Sequence, residues 1–278
     1  MATVDLLTIA GILRAVAAEE ILPRWRNLAA GDVQTKSKAG DLVTVADHAA
    51  EVALASRLEG ALPGSHVVGE EAVAADPGVL ELFRKAEPVW VVDPIDGTRN
   101  FAQGGTTFDV MVALVIGGRP VAGWILAPAE DVLYLGESGG GAERHAAGVV
   151  SRIEAPTGLL LADLEGVLGS GGFTARGRPD PARARHHFRG YSKPTCAGHN
   201  YGRLLGGESH FLINFSTHPW DHLPGHAIAG AAGFHAARHD RRPFDPLDRH
   251  GGVLVAPGRD LWEDIHRLLL GDAPHEHR

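Results

Sequence analysis

The chain has 278 residues, which at roughly 150 residues per domain makes two domains or one large one. With 44% hydrophobic and 22% charged residues it is composed like a folded globular protein, which excludes a disordered chain. Lys and Arg number 26 against 34 Asp and Glu, a net charge of −8, so there is no overall cationic surface to recruit a nucleic-acid polymer or an anionic membrane.

Residues 6–25 read as an amphipathic helix, with Leu6, Ile9, Leu13, Val16 and Ala17 at helical spacing and Pro23 near its end. Asp5 stands before this apolar run in place of a basic cluster, and Arg14 ends it, so no export signal is expected. Thr44 to Leu62 predicts a second helix, rich in alanine and closed by Pro63-Gly64; Thr44 followed by Asp47 resembles a capping box. His66–Gly69 predicts a short strand running into Glu70-Glu71, and Val89–Val92 another, bounded by Pro88 and Asp93-Pro94. Phe108–Ile116, Pro120–Leu126 and Val132–Leu135, separated by Gly117-Gly118 and Pro128-Ala129, predict an antiparallel meander. The glycine run at Gly139–Gly141 and the thinly apolar stretch to Thr157 set an expected boundary between domains 1–145 and 146–278. Beyond it, Gly158–Ala162 predicts a strand, Gly169–Pro181 a loop, Phe211–Phe215 a strand, His222–Ala232 a helix and Asp260–Leu270 a final helix. Helices and strands are mixed without strict alternation, which favours a layered α+β fold over a doubly wound parallel sheet. The longest later apolar run, Val110–Ile116, is far short of the ~20 residues of a membrane helix. Cys196 is the only cysteine, which excludes an intramolecular disulfide and an all-cysteine zinc cluster and fits a reducing cytoplasm. The 16 histidines are scattered, as in His186-His187 and His275-Glu276-His277, and read mostly as surface groups.

The chemistry concentrates in Trp90 to Phe101, where an apolar strand delivers Asp93 and Asp96 at its end. Pro94 fixes one torsion between them and Gly97 permits a tight turn. Converging carboxylates repel, so a hard divalent cation, magnesium above all, is their natural partner. Gly97 and Thr98 then offer backbone N–H groups suited to a phosphate. Taken singly, each acidic group has a plainer use: Asp93 and Asp96 as turn caps, Asp221 as a helix N-cap, Glu70-Glu71 as a solvated pair. The reading rests on the set.

In order along the chain, Lys36 with Asp41-Leu42-Val43-Thr44-Val45-Ala46-Asp47, then Gly69-Glu70-Glu71, then Trp90 to Phe101, and finally Pro219-Trp220-Asp221 resemble the blocks of the inositol monophosphatase family, within the lithium-sensitive, magnesium-dependent sugar-phosphate phosphatases. The resemblance spans about residues 5–265 and is strong before residue 128. It implies an α-β-α-β-α sandwich, a phosphoric monoester hydrolase, two to three Mg2+ ions and a homodimer. It also implies that Glu70, Asp93 and the Ile95 carbonyl hold one ion, that Asp93, Asp96 and Asp221 hold a second, and that Glu70 contacts a third. Thr98 and Asp47 match the pair that orients or deprotonates the attacking water, with Glu71 and Lys36 close by. Gly97 and Thr98 match the phosphate cradle. Asp47 also has its capping reading, and Lys36 that of a solvated charge in Thr35-Lys36-Ser37-Lys38.

The second half departs from the family pattern. Thr195, Cys196 and Ala197 stand where a substrate-touching Gly-Ser/Thr-Ala is usual, and Asn214 replaces a sugar-binding glutamate. His222-Leu223-Pro224-Gly225 replaces small residues, and Pro224 predicts that the helix starts there. Asp221 itself is kept and counts toward both metal and substrate. The expected substrate is a small phosphorylated metabolite: inositol phosphate first, with histidinol phosphate, a sugar bisphosphate or a nucleotide phosphate as alternatives. His199, Tyr201, His218 and His222 are either a wall for a planar substrate or packing groups. Two readings from other classes are a catalytically idle phospholigand binder and a histidine-based metal store.

Overall fold

The computed structural model describes residues 4–29, 31–36, 42–168, 184 and 186–271. The expected Gly169–Pro181 loop, Ser37, Lys38, Asp41 and the His275–His277 tract lie outside them.

Helix α1 (Leu6–Val16) starts where the Asp5 carboxylate accepts the Thr8 N–H at 2.8 Å. It passes into a π-turn at Ala17–Ile21 instead of staying α-helical to residue 25, and Leu13, Val16 and Ile21 are sealed in the core. A short antiparallel ribbon, β1 (Val33–Thr35) and β2 (Leu42–Thr44), leads into α2 (Val45–Ala61). The capping box is made as expected: Asp47 Oδ2 accepts the Thr44 N–H at 2.7 Å and its hydroxyl at 2.6 Å.

Both helices cover one face of a seven-stranded sheet. Its strands, in spatial and chain order, are β3 (His66–Gly69), β4 (Val89–Asp96), β5 (Asp109–Ile116), β6 (Arg119–Ala127), β7 (Val132–Glu137), β8 (Gly141–Ala146) and β9 (Val149–Ile153). Only the β3–β4 pair is parallel; the meander and its continuation are antiparallel. Period-two alternation divides β5: Val110, Val112 and Leu114 pack with the α1–α2 cluster, while Met111 packs on the opposite side. Two short helices, α3 (Glu70–Ala75) and α4 (Thr98–Ala102), follow the C-terminal ends of β3 and β4.

The second sheet runs β11 (Gly190–Ser192), β10 (Glu165–Val167), β12 (Phe211–Asn214), β14 (Val253–Ala256), β13 (His235–Arg238). Helices α5 (Ala197–Leu205) and α6 (Pro219–Ala231) fill the space between the sheets, and α7 (Arg259–Leu270) covers the outer face of the second. Leu212 and Val255 face the middle layer, whereas Phe211, Ile213 and Leu254 face Trp262 and Ile265 of α7. The stack is the expected α-β-α-β-α sandwich.

Two further expectations are corrected. Gly158–Ala162 is not a strand: the chain enters a single 3-10 turn at Leu161–Asp163, and the strand follows at Glu165–Val167. The 145/146 division falls inside the β8–β9 hairpin, and the change from one sheet to the other comes after Ile153. Exposed, weakly apolar strands at a sheet edge give little hydrophobic signal, which is why the glycine run looked like a linker. Helix α6 begins at Pro219, leaving Pro224 well inside it. An interior proline costs about 3 kcal/mol, but Trp220, Leu223, Ile228 and Ala229 are buried, and their packing outweighs the lost hydrogen bond. The approach is close enough that a Cβ on Gly123 of β6 would sit 2.3 Å from the Pro224 carbonyl. No described helix is long and apolar enough to cross a membrane.

Candidate functional site

The end of β4 carries the decisive geometry. In a regular strand, residues three apart point to opposite faces, so Asp93 and Asp96 would diverge. The β4–β5 register shifts between them, Asp93 opposing Met111 and Asp96 opposing Asp109, which inserts one extra residue as a bulge. Asp93 and Asp96 thereby line the same cavity, about 500 Å³ in volume, together with Glu70, Ile95, Gly97, Thr98 and Asp221. Leu42, Arg99, Asn100 and Pro194–Cys196 complete its wall.

Glu70 and Glu71 open α3, and the Glu51 carboxylate accepts the N–H groups of Glu71 and Ala72, each at 2.8 Å, which fixes that turn. Lys36 donates to Glu70 at 2.7 Å and to Glu71 at 2.6 Å. Although burial pulls the other way, these two carboxylates hold the Lys36 ammonium above its ordinary range. Burial lifts Glu71 to about 7 against the opposing pull of Lys36. Lys36 is therefore an ion-pair partner of the site rather than a solvated charge.

Asp47 makes two sets of contacts at once. One oxygen closes the α2 cap, and the other lies 3.0 Å from Thr98 Oγ1, which is also 3.0 Å from the Ile95 carbonyl. Burial raises Asp47, partly offset by its bonds from Thr44 and Thr98. Gly97 has φ +89, and a Cβ there would lie 2.9 Å from the Thr107 carbonyl and 3.2 Å from Cys196 Sγ. Gly97→Ala should therefore cost about 1–3 kcal/mol, read as a lower urea midpoint at unchanged m-value; an unmoved midpoint would show that the turn tolerates a side chain.

The carboxylates are held at high electrostatic cost. Burial, with Glu70, Asp96 and Asp221 around it, raises Asp93 well above the ordinary carboxylate range. Burial raises Asp221 likewise, with Asp96 and Glu70 adding to it, and pushes Asp96 up to about 6 despite the Gly198 N–H donated at 2.5 Å. Asp93 Oδ1 is fully buried and has no hydrogen-bond partner among the described residues. An acceptor-only oxygen left in this state, within a set of oxygen donors, is what a hard cation fits. The set is not fully drawn together, because Glu70 is turned to Lys36.

The tightest grouping of ligand-type atoms among the described residues is Asp96, Asp109 and Cys196, all within 4.8 Å of one another. Asp109 was not anticipated; the signal was a lone carboxylate in the apolar run Phe108-Asp109-Val110. Burial, aided by Asp96, raises Asp109 well above its ordinary range, and Cys196 Sγ donates to it at 3.6 Å. Burial also pushes the Cys196 thiol upward, so the cysteine stays protonated and lines the wall.

The second-half candidates divide. Thr195 and Cys196 line the cavity, whereas Ala197 and Asn214 do not. The Thr195 N–H donates to Asn200 at 3.0 Å, and Asn214 Oδ1 accepts the Ser216 N–H at 2.9 Å, so its amide shapes the β12–α6 turn. His199, Tyr201, His218 and His222 are also off the cavity wall. Tyr201 and His222 are core residues, and His218 packs on Trp220. None of the four reaches the cavity, and the histidines form no ligand cluster among the described residues. Arg99 and Asn100, which the sequence reading did not single out, are on the wall.

The model of the inositol monophosphatase family matches residues 4–275. An inositol monophosphatase 2 of Solanum lycopersicum is 41% identical over 102 residues, covering 37% of this chain and 38% of that protein. The 3'(2'),5'-bisphosphate nucleotidase CysQ of Escherichia coli (strain K12) is 29% identical over 225 residues, 78% of this chain and 83% of that protein. An IMPase of Thermotoga maritima superposes with a TM-score of 0.76 at 24% identity, covering 94% of each chain, which supports the fold.

Proposed function

Because the chain belongs to the inositol monophosphatase family, and is thus a phosphoric monoester hydrolase, we propose that it hydrolyses a small, inositol-phosphate-like monoester with Mg2+. The observation that carries this reading is the buried Asp93 Oδ1, without a hydrogen-bond partner among the described residues, in a cavity shared with Glu70, Asp96 and Asp221. Glu70, Asp93, the Ile95 carbonyl, Asp96 and Asp221 would hold two to three ions. Bound there, they supply charge neutralisation at the ester oxygens and a more acidic water.

The chain's own groups do the rest. The Thr98 hydroxyl donates to Asp47 and accepts from the incoming water, so the water proton passes through Thr98 to a carboxylate that burial has made more basic. The water oxygen bonds to phosphorus as the ester P–O bond breaks, and the alcohol leaves with a proton from solvent. The N–H groups of Gly97 and Thr98 open α4, where no intrahelical acceptor reaches them, and orient the phosphate. Lys36 bridges Glu70 and Glu71, so Glu71 would keep the ammonium when Glu70 turns to an ion. Thr98→Ala should lower kcat on the order of 10²-fold with little change in KM, while Thr98→Ser retains most turnover; an unchanged kcat in Thr98→Ala would remove the relay.

A nucleotide phosphate is the second reading, favoured by the CysQ alignment, which spans more of this chain than the tomato match does. Phosphate release from inositol 1-phosphate, histidinol phosphate and an adenosine bisphosphate, each with and without Mg2+, ranks these substrates. Release from none of them would favour a phospholigand-binding relative instead. A homodimer in a reducing cytoplasm completes the proposal, with sedimentation as its check.

A further inference from the structure

A hydrogen-bonded chain that starts from two buried side chains, Tyr201 and His222, ends on one carboxylate oxygen of Asp221. Ser216 Oγ donates to Asp221 Oδ2 at 2.9 Å. Every other polar atom of Ser216 is also engaged. Its N–H goes to Asn214 Oδ1 at 2.9 Å, its carbonyl faces His222 Nε2 at 3.0 Å, and the His218 N–H reaches its hydroxyl oxygen at 3.4 Å. His222, with no exposed surface, is 3.2 Å from the Tyr201 hydroxyl through Nδ1.

Donor logic orders this chain without ambiguity. A carbonyl only accepts, so His222 carries its proton on Nε2 and gives it to Ser216. Nδ1 is then an acceptor, and Tyr201 donates to it. The direction runs from Tyr201 to His222, from His222 to the Ser216 backbone, and from the Ser216 hydroxyl to Asp221. Tyr201 is fixed in turn by Gly225, whose Cβ position would lie 2.3 Å from its ring. The anchor thus sits in the middle helical layer, and its last link ends on a residue of the cavity wall. Among the described residues no hydrogen bond is made to Asp221 Oδ1, which leaves that oxygen for the cavity.

We propose that Ser216, held by His222 and Tyr201, is a positioning residue that presents Asp221 to a divalent cation. The proposal rests on the metal reading of the site. Groups that orient a ligating carboxylate contribute to affinity through geometry alone, without touching substrate.

The test is direct calorimetric titration of the full chain with Mn2+ and with Mg2+, independent of turnover. The unaltered chain and Asp221→Asn come first. No binding, or binding that Asp221→Asn leaves unchanged, overturns the cation reading and the positioning role together. With that binding established, Ser216→Ala should weaken it about tenfold, and Ser216→Thr, which keeps the hydroxyl, should restore it to within roughly twofold. Tyr201→Phe should weaken binding in the same direction and by less, and it serves if Ser216→Ala folds poorly. Wild-type affinity in Ser216→Ala, an equal loss in Ser216→Thr, or an unaffected Tyr201→Phe overturns the positioning chain while leaving the cation reading intact.

Discussion

Asp93→Asn is expected to reduce phosphate release at saturating Mg2+ on the order of 10³-fold or more, while the metal-free protein melts no lower than the unaltered chain. The two effects have one cause. Asp93 is 1% exposed, one of its oxygens has no partner among the described residues, and Glu70, Asp96 and Asp221 raise the cost of its charge. The amide keeps the shape and removes a charge that the metal-free fold tolerates poorly, so function and stability move in opposite directions. Phosphate-release rates and melting curves in chelator measure both halves. Turnover within tenfold of the unaltered chain would contradict the role in catalysis. A fall in melting temperature of the metal-free variant would contradict the repulsion argument.

The second expected result concerns pH. Carboxyls held above their ordinary range favour the protonated folded state, so their contribution is present at low pH and is lost as pH rises through the folded value. Asp96 is raised to about 6 and Glu71 to about 7, and Asp93, Asp109 and Asp221 are raised well above the usual range. Buried His222 and His226 have the opposite sign. Burial depresses His222 well below its usual range, with His226 adding to it, and depresses His226 to about 4, so their destabilisation grows as pH falls below the ordinary imidazole value. The histidine trend ends at the ordinary imidazole value of about 6.5, and above that only the carboxyl trend remains. The metal-free protein should therefore lose stability between pH 6.5 and 8 as Glu71, held at about 7, ionises in the fold. Mg2+ held as proposed would take the carboxylates in their ionised form, so the increase in melting temperature that it produces should grow over the same interval. Melts in chelator and in excess Mg2+ at pH 6.5, 7.25 and 8 check this. Metal-free stability that is flat or rising there would mean that the cluster is solvated and already ionised.

The histidines show how composition alone misleads. Their number invites a metal reading, yet among the described residues they form no ligand cluster, and His222, His239 and His266 are buried with ring nitrogens facing backbone carbonyls. A histidine in a core and one on a surface look the same in a linear chain, because burial depends on what packs over the residue. The same blindness hid Asp109, whose apolar neighbours predicted a strand but not a carboxyl set against Cys196. Asn214 shows the same limit: the family resemblance implies a substrate contact there, and only the structure shows its amide oxygen accepting the Ser216 N–H in the turn before α6.

What the sequence determined alone is local and chemical. The capping pair Thr44–Asp47, the apolar run ending in Asp93-Pro94-Ile95-Asp96-Gly97 and the meander after it are short-range patterns, and each forms nearly where its residues indicate. Only the tertiary structure decided that Asp93 and Asp96 share a face, since that depends on a bulge against β5. It alone decided that Pro224 lies inside a helix, since burial between two sheets outweighs local propensity. It alone joined Tyr201, His222 and Ser216 to Asp221. Local patterns are set by torsions and spacing along the chain, whereas pairing register, burial and charge proximity are set by residues far away in sequence that folding brings within a few ångströms.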